Sequence, residues 1–302
     1  MEQKTVIERY RSACAGLPSD IQAAEAEGRR EKILSLTVTG GALAGSDSCD
    51  VTTVSVRAVG ADGRGGFAYT QNLEEEPLAV IRQAADGGTL LDGAQAEKEP
   101  QLFAREEAAG IREEADGAED STQEERTAAS LSSGALPSVA DGIRIGAMVE
   151  QWALESSECI TQASVTTSFY ETENWTVNST GLCRQSVHRW MDVAVSVVLQ
   201  KDGALYNASW YGSFEDERQL LEQKDELTKS LRRSQAAKAV AVPFTSGVYR
   251  VLLSREAVYN ILITLWQAFS GCHQQREDSF LCGKMGQKVA SGLLSICDAP
   301  WA

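Results

Sequence analysis

Val248-Tyr249-Arg250-Val251-Leu252-Leu253-Ser254 opens the stretch from which the fold is read. The apolar residues of Val248–Leu253 predict a short strand. Ser254 suits a helix N-cap, because its hydroxyl can accept an orphan backbone N–H. A helix is expected over Arg255–Ser270, where Val258, Ile261, Leu262, Leu265 and Phe269 share one face at helical spacing. Ile263 and Trp266 make the other side apolar too, so this helix should be buried nearly all round. Gly271 can adopt the left-handed conformation that ends a helix. A polar loop leads to Ser279-Phe280-Leu281-Cys282-Gly283-Lys284-Met285-Gly286 and then Gln287–Ser291. A second apolar strand, Leu293-Leu294-Ser295-Ile296, closes in Asp298-Ala299-Pro300.

That order resembles the TldD/PmbA family, subunits of peptidase complexes once described as modulators of DNA gyrase. The resemblance is carried by the strand, the helix ending in Ser270-Gly271, the S-F-L-x-G-K-x-G segment and the strand closing in Asp-x-Pro. Metal-bearing members of the family have H-E-x-x-x-H on this helix. There, two histidines one turn apart bind zinc and the glutamate acts on the zinc-bound water. Counted from the preceding strand, the motif would fall on Ile263-Thr264-Leu265-Trp266-Gln267-Ala268, which has none of the three residues. Arg255-Glu256-Ala257-Val258 looks like a relic of it, but sits too early and lacks both histidines. The resemblance is therefore to the PmbA-type (TldE-type) member, which has no metal of its own. Family members continue beyond the Asp-x-Pro strand, so the chain is expected to be truncated, a fragment or a reduced relative. Val248–Val251 and Leu293–Ile296 would then keep unpaired edges, an aggregation hazard.

Composition sets bounds on this reading. The 302 residues suffice for two domains, 43% of them are hydrophobic, and the formal net charge is −15. Such a charge argues against a nucleic-acid surface, which needs clustered Lys and Arg to replace counterions. It equally disfavours an anionic membrane surface. Residues 1–15 are polar and lack an apolar signal core, and the longest apolar run, Ala257–Phe269, is too short to span a bilayer. A cytoplasmic location is expected. The seven cysteines (Cys14, Cys49, Cys159, Cys183, Cys272, Cys282, Cys297) contain no C-x-x-C and read as reduced, mostly buried thiols.

Along the chain, residues 4–30 suggest one or two helices, the second over Ile21–Lys32, and Leu34–Thr39 a strand. Val51–Val59 alternates as a strand should. Ala61–Gly66 forms a turn and Phe67–Thr70 returns. Asn72 and Glu75 fit a capping box for a helix to about Ala85. The strand, D-G-R-x-G turn and F-A-Y-T segment also resemble the family's N-terminal domain. Gly63, Gly65 and Gly66 could suggest a phosphate loop. A hairpin explains them better, because no helix starts directly after them.

Residues 97–126 hold eleven acidic and four basic side chains and little apolar periodicity. They read as a solvated helix or a linker, or else as an acidic rim that attracts basic peptides. Asp141 can cap a helix with Ile145, Met148, Val149 and Trp152. Strands are expected at Ile160–Tyr170, Trp175–Val177, Leu182–Val187, Trp190–Leu199 and Ala204–Tyr211. Their turns are Asn178-Ser179-Thr180-Gly181, which also resembles the family's central domain, and Asp202-Gly203. A charged helix follows over Glu215–Ala239, with Leu220, Leu227 and Leu231 inward.

The fold class is α+β: a two-layer N-terminal helix/sheet domain (1–95), an acidic linker or solvated helix (96–135), a central antiparallel sheet (136–240) and the start of a β-rich C-terminal domain (241–302). The resemblance implies a non-metal subunit of a zinc metallopeptidase pair. It would bind no cofactor itself and would hold unfolded or short peptides for a metal-bearing TldD-like partner, with a homodimer as the other assembly. No nucleic-acid or membrane partner is expected. Extended peptides bind strand edges through backbone hydrogen bonds, and the expected pocket lining is Ser279, Phe280, Leu281, Gly283 and Gly286. A stand-alone peptide-binding protein is the alternative of another class.

Two further chemistries are conceivable. The only histidines are His188 and His273; His188, in a strand beside Arg189 and Trp190, reads as structural. Cys272, His273 and Cys282 could hold a metal, although their spacing matches no known pattern. Ser279 or Cys282 could act as nucleophile with His273 as base, but S-F-L-C-G is not a nucleophile elbow and no carboxylate is evidently placed to orient the imidazole.

Overall fold

The computed structural model describes residues 3–89, 136–201, 203–238, 245–275 and 277–297, in two units, Met1–Ala241 and Val242–Ala302. In the first unit, helix α1 (Gln3–Ala15) leads into strands β1 (Ile21–Thr39), β2 (Ala42–Gly60) and β3 (Gly65–Thr70), then helix α2 (Pro77–Thr89). Helix α3 (Val139–Glu155) precedes β4 (Ile160–Asn178), β5 (Cys183–Lys201) and β6 (Ala204–Phe214), and helices α4 (Glu217–Glu222) and α5 (Lys224–Lys238) follow. Among the described residues the strands form one antiparallel sheet in the order β3-β2-β1-β4-β5-β6. The fold is α+β. The acidic segment 97–126 lies outside the described residues.

The seam between β1 and β4 runs unbroken from Glu25↔Asn178 to Thr39↔Ser164. The N-terminal and central strands, read apart in the sequence, are thus one sheet. β1 begins at Ile21, which corrects the helix expected over Ile21–Lys32. Its Ala, Glu, Arg and Lys residues favour a helix locally, but pairing with a neighbour on both sides overrides that preference. The cue was the period of two: Ala24 and Ala26 are buried, whereas Glu25 and Glu27 point the other way. The strands expected separately at 160–170 and 175–177 are one strand, as are those at 182–187 and 190–199. α2 starts at Pro77, not at an Asn72 cap, and the Glu75 carboxylate instead accepts from Thr70 Oγ1. The helix expected over 215–239 breaks at Gln223, while Leu220, Leu227 and Leu231 are fully buried as expected.

All described helices of this unit pack on one face of the sheet, over two apolar clusters. Under α1 and α2 lie Ala24, Ala26, Val54, Val56, Ala68 and Trp175. Under α3, α4 and α5 lie Val165, Phe169, Val193, Val195 and Leu199. α3 is capped by Ser138, whose side chain accepts from Asp141 N while Asp141 returns a bond to Ser138 N. Asp141 is thus the third residue of a capping box rather than the cap.

One face of α3 runs along β1 at close range. A Cβ on Gly142 would lie 2.3 Å from Leu36 Cδ1, and one on Gly146 2.7 Å from Val38 Cγ2. One turn further, Glu150 is 4% exposed and its carboxylate accepts from Gly40 N (2.6 Å) and Gly41 N (2.7 Å). Both glycines have positive φ (64° and 72°), as the tight β1–β2 hairpin requires. Charge-assisted bonds of this kind are the stronger class. Glu150→Ala should therefore destabilise the protein by about 2 kcal/mol, read as a lower urea midpoint. An unchanged midpoint would contradict the clamp.

The second unit contains helix α6 (Arg255–Leu265), a 3₁₀ turn (Trp266–Phe269) and helix α7 (Gly271–Gln275). Ser254 caps α6 as expected, accepting from Ala257 N at 3.2 Å. Ser270, in extended conformation, ends the 3₁₀ turn, whereas Gly271 opens α7 rather than serving as a left-handed stop. Val248–Leu253 and Leu293–Ile296 are not strands. A strand needs a neighbour for its N–H and C=O groups, and the described residues of this unit supply none. Ile261, Ile263, Trp266 and Phe269 are exposed, which corrects the expected all-round burial of the helix.

Candidate functional site

Ser279 is the best-held residue of the expected peptide pocket. Its hydroxyl donates to Ala268 O (2.8 Å) and accepts from Leu281 N (3.1 Å) and Gln274 Nε2 (3.1 Å). The donor is spent and the acceptor filled, so Ser279 ties the loop to the helix end and has no proton free for nucleophilic attack. Phe280 projects into solvent at 63% exposure and Leu281 is half-buried. Gly283 (φ 68°) and Gly286 (φ 74°) turn the chain back at positions that other residues resist. The five residues form one compact turn, in which Ser279 is the internal anchor and Phe280 the outward apolar group.

The structure also supplies a carboxylate that the sequence did not place: His273 Nδ1 lies 2.7 Å from Asp278 Oδ1. Cys282 Sγ lies near the main-chain oxygens of Gln274 (3.7 Å) and His273 (3.9 Å). The Cys272 side chain lies outside the described residues. Among the described residues, no three His, Cys, Asp or Glu side chains converge as metal ligands. The segment Ile263–Ala268, where a zinc motif would stand, offers neither imidazole nor carboxylate and does not fit a zinc ion.

Sequence reasoning missed a charged belt in the first unit, which crosses the helix-bearing face between the two apolar clusters. Register places Asp50, Lys32, Glu171 and Arg189 in one row on β2, β1, β4 and β5. Arg30 and Glu173 lie in the next row. Glu171 is 4% exposed and accepts from Lys32 Nζ (2.5 Å) and Arg189 Nε (2.6 Å). Lys32 reaches Glu173 at 3.3 Å, and Arg30 grips Asp50 with two bonds of 2.8 Å.

Burial pushes the Glu171 carboxyl up, but its hydrogen bonds from Lys32 and Arg189 outweigh this and hold it below the ordinary range. The bond to Glu171 raises Lys32, and the bond from Arg30 lowers Asp50. Carboxylates held ionised and cations held protonated fix geometry; they do not exchange protons at neutral pH. Beside Arg189 is a pocket of 310 Å³ lined by Pro137, Asp141, Arg144, Ile145, Trp190 and Glu217 among others. Arg144 closes one wall with two 2.7 Å bonds to Glu217. No strand signal reveals this belt, because it exists only through cross-strand register.

The thiols differ in setting. Burial pushes Cys14 up to about 12, so it is inert as a nucleophile, while Cys49 and Cys297 are exposed. No described helix is long and apolar enough to cross a membrane.

Residues 246–302 match the family model of the PmbA/TldA metallopeptidase C-terminal domain. No curated protein matches the chain by sequence. Among solved structures, the chain is similar to a candidate modulator of a DNA gyrase from Thermotoga maritima, at 18% identity and a TM-score of 0.60, over 88% of this chain and 56% of that one. It is similar to a candidate modulator of DNA gyrase from Bacteroides thetaiotaomicron, at 17% identity and a TM-score of 0.61, over 95% and 62%. It is also similar to TldE from Thermococcus kodakarensis, at 17% identity and a TM-score of 0.56, over 89% and 57%. The chain thus spans less than two thirds of each of these structures. At such identities the likeness is one of fold. The matched segment, residues 246–302, adds a sequence link to the PmbA/TldA metallopeptidase C-terminal domain.

Proposed function

We propose that this chain is the non-metal subunit of a TldD/PmbA-type zinc metallopeptidase pair, holding unfolded or short peptides in extended form for a metal-bearing partner. One observation carries the reading. The chain matches a metallopeptidase domain over 246–302, yet Ile263-Thr264-Leu265-Trp266-Gln267-Ala268 stands where H-E-x-x-x-H would bind zinc. The likeness to TldE supports the same assignment. The chain itself would need no cofactor and would act in the cytoplasm. With a net charge of −15, attraction of basic peptides is favoured over contact with DNA.

The test is reconstitution. The purified chain should cleave no peptide alone. Cleavage should appear when a relative carrying H-E-x-x-x-H is added, and a chelator should abolish it. Cleavage by this chain alone, insensitive to chelators, would overturn the reading and return attention to His273, Asp278 and Cys282.

A further inference from the structure

The face of the sheet opposite the described helices of the first unit is lined by hydroxyls. Across β1 and β4, Ser35 meets Ser168 (2.8 Å), Thr37 meets Thr166 (2.9 Å) and Thr39 meets Ser164 (3.0 Å). The row Ser35↔Ser168↔Asp192↔Ser213 continues over β5 and β6. The row also reaches Asp47 on β2, which is exposed, whereas Asp192 on β5 has its Oδ1 shielded from solvent with no hydrogen-bond partner among the described residues. A carboxylate loses hydration when an oxygen is shielded, and in folded proteins the loss is normally made good by a donor or a cation. Its cross-strand neighbours, Ser168 and Ser213, are small and neutral.

The adjacent row holds the second observation. Tyr170 and Trp190 face each other across β4 and β5 with ring centroids 4.7 Å apart and planes within 4°. Same-face positions along a strand are ~7 Å apart, about the length of a lysine stem. A stacked aromatic pair offers that stem apolar area and a negative π-face, and the carboxylate beyond it offers the ammonium a counter-charge.

We infer that Asp192, with Ser168 and Ser213 beside it and the Tyr170–Trp190 pair flanking it, forms a subsite for a lysine side chain of a bound peptide. The inference rests on the peptide-holding reading and names a chemical preference within it. Asp192 takes the ammonium, the serine oxygens are short enough to admit it, and the aromatic pair carries the methylenes. The acidic charge of the chain favours the same ligand at longer range.

The test uses the whole chain and the peptide acetyl-Gly-Ser-Gly-Ser-Lys-Ser-Gly-Ser-Gly-amide, with titration calorimetry or tryptophan fluorescence as readout. Replacing the lysine by norleucine should weaken binding at least tenfold. Asp192→Asn should weaken the lysine peptide by a similar factor and leave the norleucine peptide unchanged. Because Asp192 Oδ1 has no hydrogen-bond partner among the described residues, Asp192→Asn should melt no lower than the parent. Equal binding of the lysine and norleucine peptides, with Asp192→Asn silent, would overturn the lysine subsite and leave peptide holding intact. A norleucine peptide with a free amino terminus that binds as well as the lysine peptide would overturn the assignment to a side chain. If no peptide binds, the subsite and the peptide-holding reading both fail. A clear drop in melting temperature for Asp192→Asn would show a structural carboxylate and also sink the subsite.

Discussion

Gly28→Ala is expected to destabilise the protein by about 3 kcal/mol, although alanine is ordinarily the better strand residue by roughly 0.5–1 kcal/mol. The sign is reversed by Trp175. Gly28 on β1 pairs with Trp175 on β4, and the indole lies directly over the glycine. A Cβ at position 28 would stand 1.9 Å from Cε2 and 2.1 Å from Nε1 of that ring. Trp175 is 1% exposed and packs against Tyr10 at 5.7 Å between ring centroids, so it has no room to move aside. Overpacking of this kind costs about 1–3 kcal/mol, and driving the indole from its site would cost about 3–5 kcal/mol, as Trp175→Ala should. The pair should also be coupled. Gly28→Ala in a Trp175→Leu background should cost much less than in the parent, because the colliding atoms are gone. Urea unfolding followed by circular dichroism gives all three values. A Gly28→Ala midpoint equal to or above the parent's would show that the sheet can shift to admit the methyl group.

Gly28 also marks what the sequence could and could not disclose. Local alternation is a property of the chain itself, so Val54, Val56 and Ala58 were legible as the buried side of a strand. Leu220, Leu227 and Leu231 were legible as the buried side of a helix for the same reason. In Ala24-Glu25-Ala26-Glu27 the same alternation was present, but helix-forming residue types masked it; the pairing that overrules them joins β1 to a strand some 150 residues later. The belt around Glu171 was illegible for a related reason. Lys32, Glu171 and Arg189 are adjacent only through register, and register follows from the pairing of all the strands at once. The small motifs of 248–300 lie in the segment that matches the PmbA/TldA metallopeptidase C-terminal domain, although the strands expected there are not formed. Residue identities persist through relatives independently of whether their pairing partners are present. Asp192 was overlooked because an aspartate on a strand reads as solvated surface until its neighbours are known.

Glu171→Gln should cost about 3 kcal/mol at neutral pH, and the loss should vanish in acid. Removing one partner of a buried pair costs about 3–5 kcal/mol when the remaining charge stays buried. Here the Lys32 and Arg189 side chains are 28% and 26% exposed, and Lys32 retains Glu173 at 3.3 Å, so the lower end applies. The pH dependence has a definite sign. Hydrogen bonds from Lys32 and Arg189 hold the folded Glu171 carboxyl below its unfolded value of about 4.5. The unfolded chain therefore takes up a proton first as pH falls, and the stabilisation is complete above that value and lost as pH falls through the folded one. Stability curves of the parent and of Glu171→Gln should run parallel above about pH 5.5 and converge below pH 4.5. A gap that persists unchanged to pH 3 would assign the loss to packing rather than charge. The triple replacement Lys32→Leu/Glu171→Met/Arg189→Leu separates stability from specificity, since apolar groups in place of a buried ionic cluster are often neutral or stabilising. A triple variant that melts as high as the parent but populates more than one strand register, seen as doubled amide resonances for β4 and β5, would show that the belt selects the alignment of those strands. A variant with a single set of resonances and lower stability would show instead that the charges hold the sheet together.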